Sequence, residues 1–183
     1  MMISMKKIIV CLVVICLWLP TVFGQSTADQ VVHNKMQNIH FMLGKWQGKG
    51  WIMKGPKQKK EFTQTENVVA KAGGIAFMVE GLGKALDNKG QIVHQAFAVI
   101  SYNHQESRFE MNAFSKKHGQ QITRLYQIGM KKMAWSFKDE RGGTIRFSMD
   151  FSKANHWVEK GEYSPDGERW VQFFAMNLKR SID

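Results

Sequence analysis

The chain has 183 residues, of which 26 are basic and 15 acidic, and its formal net charge is +11. Its two cysteines, Cys11 and Cys16, both lie within the first 24 residues. Without that segment the chain has no disulfide and no thiolate that could act as a nucleophile or metal ligand. The remaining length is that of one domain, which can bury a core without such cross-links.

Residues 1–24 have the pattern of a secretory signal peptide. Two lysines precede an apolar run at 8–19, and the small residue Gly24 ends the segment. The run is about a dozen residues long, whereas roughly 20 are needed to span a bilayer. We therefore expect cleavage before Gln25, export to the periplasm or the extracellular space, and no stable membrane anchor afterwards.

The rest of the chain, from Gln25 onwards, remains basic, with 24 basic residues against 15 acidic ones and a net charge of +9. Its densest basic groups surround Gly55-Pro56 and include Lys131-Lys132, which are turn-like sequences. Charge of this sign could attract nucleic acid or an anionic surface. No nucleic-acid-binding motif accompanies it, so we interpret the lysines as solvated turns and predict no nucleic-acid partner. A monomer is the default expectation.

The elements divide the chain into a helical lead-in at 25–43 and a strand-rich domain at 44–183. Capping residues at 26–29 are followed by side chains at helical spacing, namely Val31, Val32, Lys35, Met36, Ile39 and Met42. From Gly44 the period becomes two, and one face carries Trp46, Gly48, Gly50 and Ile52. Glycines on that face permit a sharp bend or the close approach of another backbone, as in a sheet that curls into a barrel.

Nine more strands are predicted at hairpin spacing, separated by turns rich in glycine, asparagine and proline. They are expected at 62–70, 75–82, 91–102, 108–114, 121–128, 132–138, 144–151, 157–163 and 170–179. No segment between them is long enough for a helical crossover, so the sheet should be antiparallel. A sheet of consecutive hairpins has no free edge when its first strand pairs with its last and closes it into a barrel. We predict an all-β fold, a single up-and-down barrel of about ten strands with a short N-terminal helix.

Several short motifs occur in the order and spacing of a known type of domain. The chain resembles exported bacterial families of unknown function that have a lipocalin-like (calycin) barrel and are distantly similar to nitrobindin and the fatty-acid-binding proteins. The motifs that carry the resemblance lie at 41–46, 50–51, 64–66, 79–81, 94–98, 101–102, 157–162, 164–167, 170–176 and 178–179. The resemblance covers nearly all of the chain after the signal peptide and implies the barrel fold, without implying a function.

Nitrobindin-like barrels hold haem through a histidine on a late strand, and this chain departs from that pattern. Its final predicted strand has no histidine, and His156, one strand earlier, alternates with Trp157. If Trp157 points inward, His156 points outward. Met176 is a weak axial ligand at best and is more typical of core packing. We expect no haem or other cofactor, and no metal, because the histidines show no set of converging ligands.

Polar and aromatic residues within the strands are the candidates for a binding site. Inward polar groups in a barrel orient a ligand, and a buried carboxylate near an arginine could hold its acid or amide group. Alternation alone does not say which face is inward, so solvent-facing polar residues and a core of aromatic residues remain the alternative. The candidates are Trp46, Glu66, Glu80, His94, Arg146, Trp157, Glu159, Gln172 and Phe174.

These observations favour a non-catalytic, exported barrel that binds a small hydrophobic or amphipathic molecule. An enzyme is the first alternative, using inward carboxylates such as Glu66 and Glu159, one of which would need a raised pKa. A filled interior would instead favour an envelope protein that acts through its outer surface. No nucleophile elbow, zinc-protease motif or phosphate-binding loop is present in the sequence, so no catalytic residue is assigned.

Overall fold

The computed structural model describes residues 27–87, 90–116, 119–140 and 142–181. The predicted signal peptide, with both cysteines and the cleavage site, lies outside these residues.

Ten strands form one closed antiparallel barrel, which confirms the predicted fold. Each strand pairs with its neighbours in the chain, and β1 pairs with β10 to complete the circle. The hairpin turns between apolar, alternating segments determine this order, because short connections place consecutive strands side by side. The strands are β1 (Gly44–Met53), β2 (Lys59–Lys71), β3 (Ala76–Ala85), β4 (Ile92–Asn103), β5 (Arg108–Ser115), β6 (Gly119–Gly129), β7 (Lys132–Lys138), β8 (Thr144–Asp150), β9 (His156–Ser164) and β10 (Val171–Arg180).

The closing pair of strands depends on two glycines of β1. Gly48 pairs with Leu178, and Gly50 pairs with Met176. A Cβ atom on Gly48 would overlap the backbone carbonyl oxygen of Asn177, and one on Gly50 would lie 2.7 Å from that of Ala175. These glycines therefore permit the close backbone approach that their place on the Trp46 face predicts.

A helical lead-in covers one end of the barrel. Helix α1 (Ala28–Gln37) begins after Thr27, whose Oγ1 accepts a hydrogen bond from the Gln30 N–H at 3.4 Å. A 3₁₀ turn at His40–Met42 then leads into β1. The apolar side of this segment joins the core of the barrel, through Met36, Ile39 and Met42. We call this the covered end, and the opposite end, which includes the β1–β2 and β3–β4 turns, the far end.

Hydrogen bonds fix the lead-in to both closing strands. The indole N–H of Trp46 on β1 donates to the Met42 carbonyl at 2.9 Å. The guanidinium of Arg180 on β10 donates to the carbonyls of Leu43 and Phe41, and it stacks over the Trp46 ring at 4.0 Å. The covered end is thus a packed continuation of the core.

Shortening Met36 should measure how much this cover contributes to stability. Met36 is fully buried, so Met36→Ala removes apolar contacts and leaves a cavity, at an expected cost of about 2–4 kcal/mol in the free energy of unfolding. Urea unfolding followed by tryptophan fluorescence measures this cost. Gln37→Ala, at the exposed next position, is the matched control and should change stability by less than about 0.5 kcal/mol. Equal midpoints for the two variants would mean that α1 does not contribute to the cooperative core.

Candidate functional site

Two polar side chains of β2 lie inside the barrel. Glu66 and Gln64 are 8% and 2% exposed, and the Gln64 Nε2 donates to the Glu66 Oε1 at 2.7 Å. In the pairing of β2 with β3, Glu66 lies opposite Gly81 and Gln64 lies opposite Gly83. A Cβ atom on Gly81 would lie 2.7 Å from the Glu66 Oε1, and one on Gly83 would lie 2.6 Å from the Gln64 Oε1. The two glycines therefore make the space in which the polar side chains lie against the barrel wall.

A second carboxyl group enters the interior from β9. Glu159 is 7% exposed and pairs in register with Met149 on β8 and Met176 on β10. Both methionines are buried members of the core. Glu159 thus lies in apolar surroundings that cannot solvate a charge.

Burial keeps both carboxyls protonated to unusually high pH, and repulsion by Glu66 adds to this effect at Glu159. Burial raises the pKa of Glu66 to about 7, and the hydrogen bond from Gln64 opposes this rise. Burial, together with the nearby charge of Glu66, raises the pKa of Glu159 to about 8, and the indole N–H of Trp157 opposes the rise. Because the two groups interact, they titrate as a pair. Acid–base chemistry by the pair would require at least one carboxyl with a raised pKa, and both carboxyls have one.

Two polar atoms beside the carboxyls make no hydrogen bond of ordinary geometry. The buried Gln64 Oε1 has no partner among the described residues, and the buried Trp157 Nε1 is near Glu159 but outside ordinary hydrogen-bond geometry. The Trp157 ring packs edge-on against Trp46, with ring centroids 5.9 Å apart. We name Gln64, Glu66, Trp157 and Glu159 the interior polar cluster.

Aromatic rings line the interior from the polar cluster towards the far end. Phe62 lies four residues before Glu66 on β2 and stacks on Phe174, with centroids 5.9 Å apart and planes at 22°. Phe174 meets the edge of Phe147 at 5.7 Å, and Phe147 stacks on Trp135 at 4.5 Å. The interior therefore combines an acidic, amide-containing cluster with an aromatic wall.

The structure places five of the predicted candidates inside the barrel, namely Trp46, Glu66, Trp157, Glu159 and Phe174. His94 has the inward register, opposite Gly83, but it is exposed because it lies near the far end of β4. His156 has the opposite orientation to Trp157, as alternation predicts, and its Nδ1 lies 2.9 Å from the Ala154 carbonyl oxygen.

The remaining three candidates face outward, so their expected place in the interior is wrong. Glu80 pairs with Asn67 on the outer face of β2, and Arg146 forms an ion pair of 2.8 Å with Glu162 and stacks over Trp170 at 3.8 Å. Gln172 also pairs with Glu162, because a bulge between Gln172 and Phe174 breaks the alternation of β10. All three are partly or fully exposed to solvent, which is where charged and amide side chains usually lie.

The sequence analysis did not identify Gln64, Gly81 or Gly83 as parts of the site. A signal was present, because Gln64 shares the alternation of Glu66 and two glycines occur with the same spacing on the next strand. A polar residue within the apolar face of a strand, opposite a glycine, indicates a buried polar group.

A concavity with a volume of about 900 Å³ lies on the outer face. Its lining takes neighbouring residues from each of β1 to β6, so that outward side chains form its sides and the backbone of buried residues such as Trp46 and Glu66 forms its floor. Phe97 and Phe114, 38% and 40% exposed, lie in it with ring centroids 6.1 Å apart. We call this the outer groove.

The described residues contain no group of three or more histidine, cysteine, aspartate or glutamate side chains placed to hold a metal ion. Within the same residues, no helix has both the length and the apolar character needed to cross a membrane.

The fold and the interior define a lipocalin-like barrel. The chain is similar to Rv2717c from M. tuberculosis, with a TM-score of 0.60 and 13% identity over 80% of this chain and 97% of that one. It is also similar to the S-type phycobiliprotein lyase CPES from Guillardia theta, with a TM-score of 0.59 and 9% identity over 80% of this chain and 92% of that one. At such identities the similarity shows the fold alone. No protein-family model and no curated protein matches the sequence.

Proposed function

We propose that the protein is exported and binds a small hydrophobic or amphipathic molecule inside the barrel, with the polar end of that molecule at the interior polar cluster. The observation that carries this proposal is the unpartnered Oε1 of the buried Gln64. Nearly all buried polar atoms in folded proteins are hydrogen-bonded, so such an atom indicates a partner from outside the chain.

The neighbouring aromatic residues support the same proposal. A ligand site is typically apolar, with a few polar groups that orient the ligand, and Phe62, Phe147 and Phe174 supply the apolar part next to Glu66 and Glu159. Barrels of this size can hold one small molecule in their interior. The role is proposed to be binding, because the sequence has no nucleophile-elbow or zinc-protease motif that would give the two carboxyls a defined catalytic partner.

Native mass spectrometry of the protein purified from its exported compartment tests the proposal. We expect an additional non-covalent mass that disappears on denaturation. The double variant Glu66→Gln/Glu159→Gln should lose most of it, whereas Glu61→Gln, an exposed control on β2 outside the outer groove, should retain it. A protein that carries no such mass under several growth conditions, and that fatty acids, haem and other lipophilic molecules do not stabilise, would contradict the binding role.

The proposed export has its own test. We expect N-terminal sequencing of the exported protein to begin at Gln25, because the residues before it form a signal-peptide pattern that ends in Gly24. An intact Met1 on the protein from the cell would contradict it.

The outer groove supports a second candidate function, that of a protein acting through its outer surface. Exposed aromatic pairs beside amide side chains such as Gln47 and Gln95 are suited to contact a polar, extended molecule. Phe97→Ser/Phe114→Ser removes the two rings without touching the interior. A bound mass that persists in the double glutamate variant and is lost in this one would favour the outer groove over the interior.

A further inference from the structure

The interior polar cluster has acceptors in excess of donors. Neither Glu66 nor Glu159 forms an ion pair with a described residue. Arg180, which shares the register row of Trp46 and Glu66, is occupied at the covered end by the carbonyls of Leu43 and Phe41. Once ionised, two buried carboxyls without a counter-charge favour a cation, and the bound cation would in turn favour release of the protons that burial holds on them.

The unpartnered oxygen of Gln64 adds a third acceptor beside the two carboxyls. The Gln64 amide is held in place because its Nε2 donates to Glu66 at 2.7 Å, so the Oε1 remains available. A primary ammonium group has three N–H donors and no acceptor. It therefore matches the ionised form of the cluster, which offers two carboxylates and one amide oxygen. When Glu159 is ionised, it also becomes a stronger acceptor for the neighbouring indole N–H of Trp157.

The aromatic wall defines the rest of the ligand. Phe62 lies four positions before Glu66 on β2, a distance of about 13 Å at 3.3 Å per residue. Phe174, which stacks on Phe62, lies two residues before Met176, the register partner of Glu159. An apolar body attached to the ammonium group would thus follow the Phe62 and Phe174 rings towards the far end.

We propose that the interior site binds an amphipathic primary amine, with its ammonium group between Glu66, Glu159 and the Gln64 Oε1 and its apolar body along Phe62 and Phe174. This inference rests on the proposed binding function and adds the chemical class of the ligand. A fatty acid would place a third carboxyl beside two others, and a neutral alcohol would supply no positive charge to hold the two carboxyls in their ionised form.

The test compares three probes of equal chain length, n-decylamine, n-decanol and n-decanoate, each below its aggregation limit. Binding to the full chain without its signal peptide is measured by calorimetry and tryptophan fluorescence. We expect n-decylamine to bind at least about tenfold more tightly than n-decanol, and n-decanoate to bind most weakly. Glu66→Gln/Glu159→Gln should remove the preference for the amine while n-decanol binding stays unchanged, because Gln keeps the shape of the site and removes its charge.

Controls separate the interior from the basic surface. Glu61→Gln removes an exposed carboxyl of β2 outside the outer groove and should leave all three affinities unchanged, and circular dichroism verifies that each variant is folded. If n-decanol or n-decanoate binds as tightly as n-decylamine through the interior residues, the amine inference fails while the binding function stands. An amine preference that survives the double glutamate substitution also overturns the inference. If no probe binds and no mass is found by native mass spectrometry, both proposals fail.

Discussion

Thermal stability is expected to fall as the pH rises from 5 to 9. The pKa values of Glu66 and Glu159 are raised from 4.5 to about 7 and about 8 in the folded protein. Between these values the folded state binds more protons than the unfolded state, so the free energy of unfolding decreases with pH. Each unit of separation corresponds to about 1.4 kcal/mol. The pair should therefore cost at least about 3 kcal/mol at pH 9 relative to pH 5, or roughly 5–10 °C in Tm.

The range from pH 5 to pH 9 excludes the titration of two other carboxyls whose pKa values are shifted. Hydrogen bonds lower the pKa of Asp150, chiefly one with Lys132, and those of Asp166, chiefly one with the Arg169 backbone, to about 2. Their stabilising contributions are present above the unfolded value near 4 and are lost only as the pH falls below it. A scan that starts at pH 5 therefore excludes them.

Variants identify the source of the pH dependence. Glu159→Gln should flatten the decline and raise the Tm at pH 9, and Glu66→Gln/Glu159→Gln should nearly remove the decline. The outward Glu80→Gln should follow the parent protein. Differential scanning calorimetry at five pH values gives the comparison. A double variant whose Tm declines as steeply as that of the parent would show that the buried pair is not responsible.

Gly48→Ala should strongly destabilise the barrel. Gly48 lies where β1 meets β10, and an added Cβ atom would overlap the Asn177 carbonyl oxygen and lie 2.9 Å from the Leu178 Cα. These are backbone atoms held by the strand pairing, so they cannot move aside as a flexible side chain could. We expect a loss of at least about 3 kcal/mol in the free energy of unfolding, measured from urea denaturation.

Gly55→Ala is the matched control for this substitution. Gly55 lies in the β1–β2 turn, and an added Cβ atom there meets nothing within 4 Å. Its backbone is not among the glycines with positive φ, so alanine should be tolerated or slightly stabilising. Similar urea midpoints for the two variants would contradict the role assigned to Gly48.

The strands could be predicted because each carries its own local signal. Alternating apolar residues and turn residues lie within a few positions of each other, and the predicted start of the barrel at Gly44 coincides with the start of β1. The two glycines on the Trp46 face also indicated a close backbone approach, which the β1–β10 pairing provides.

The inward face of each strand was harder to predict, because it depends on contacts with strands that are far away in the sequence. On β3, apolar residues occur on both sides, with Phe77 and Val79 inward and Met78 outward, so nothing local indicates that Glu80 faces solvent. On β10, the bulge gives Gln172 and Phe174 opposite faces although two positions separate them. The nearness of Glu66 and Glu159, from β2 and β9, follows only from closure of the barrel.

Because β1 pairs with β10, the barrel can close only after the last strand has been synthesised. Trp46 is paired with Arg180, so one edge of β1 has no partner until the nine later strands have been made. Such long-range pairing is slow to form and leaves a strand edge that other chains could join. Lys45 and Lys49 lie on the outer face of β1, and charged side chains on an exposed strand disfavour this association. The lysines of the first strand can thus protect the nascent chain through the interval in which its last partner does not yet exist.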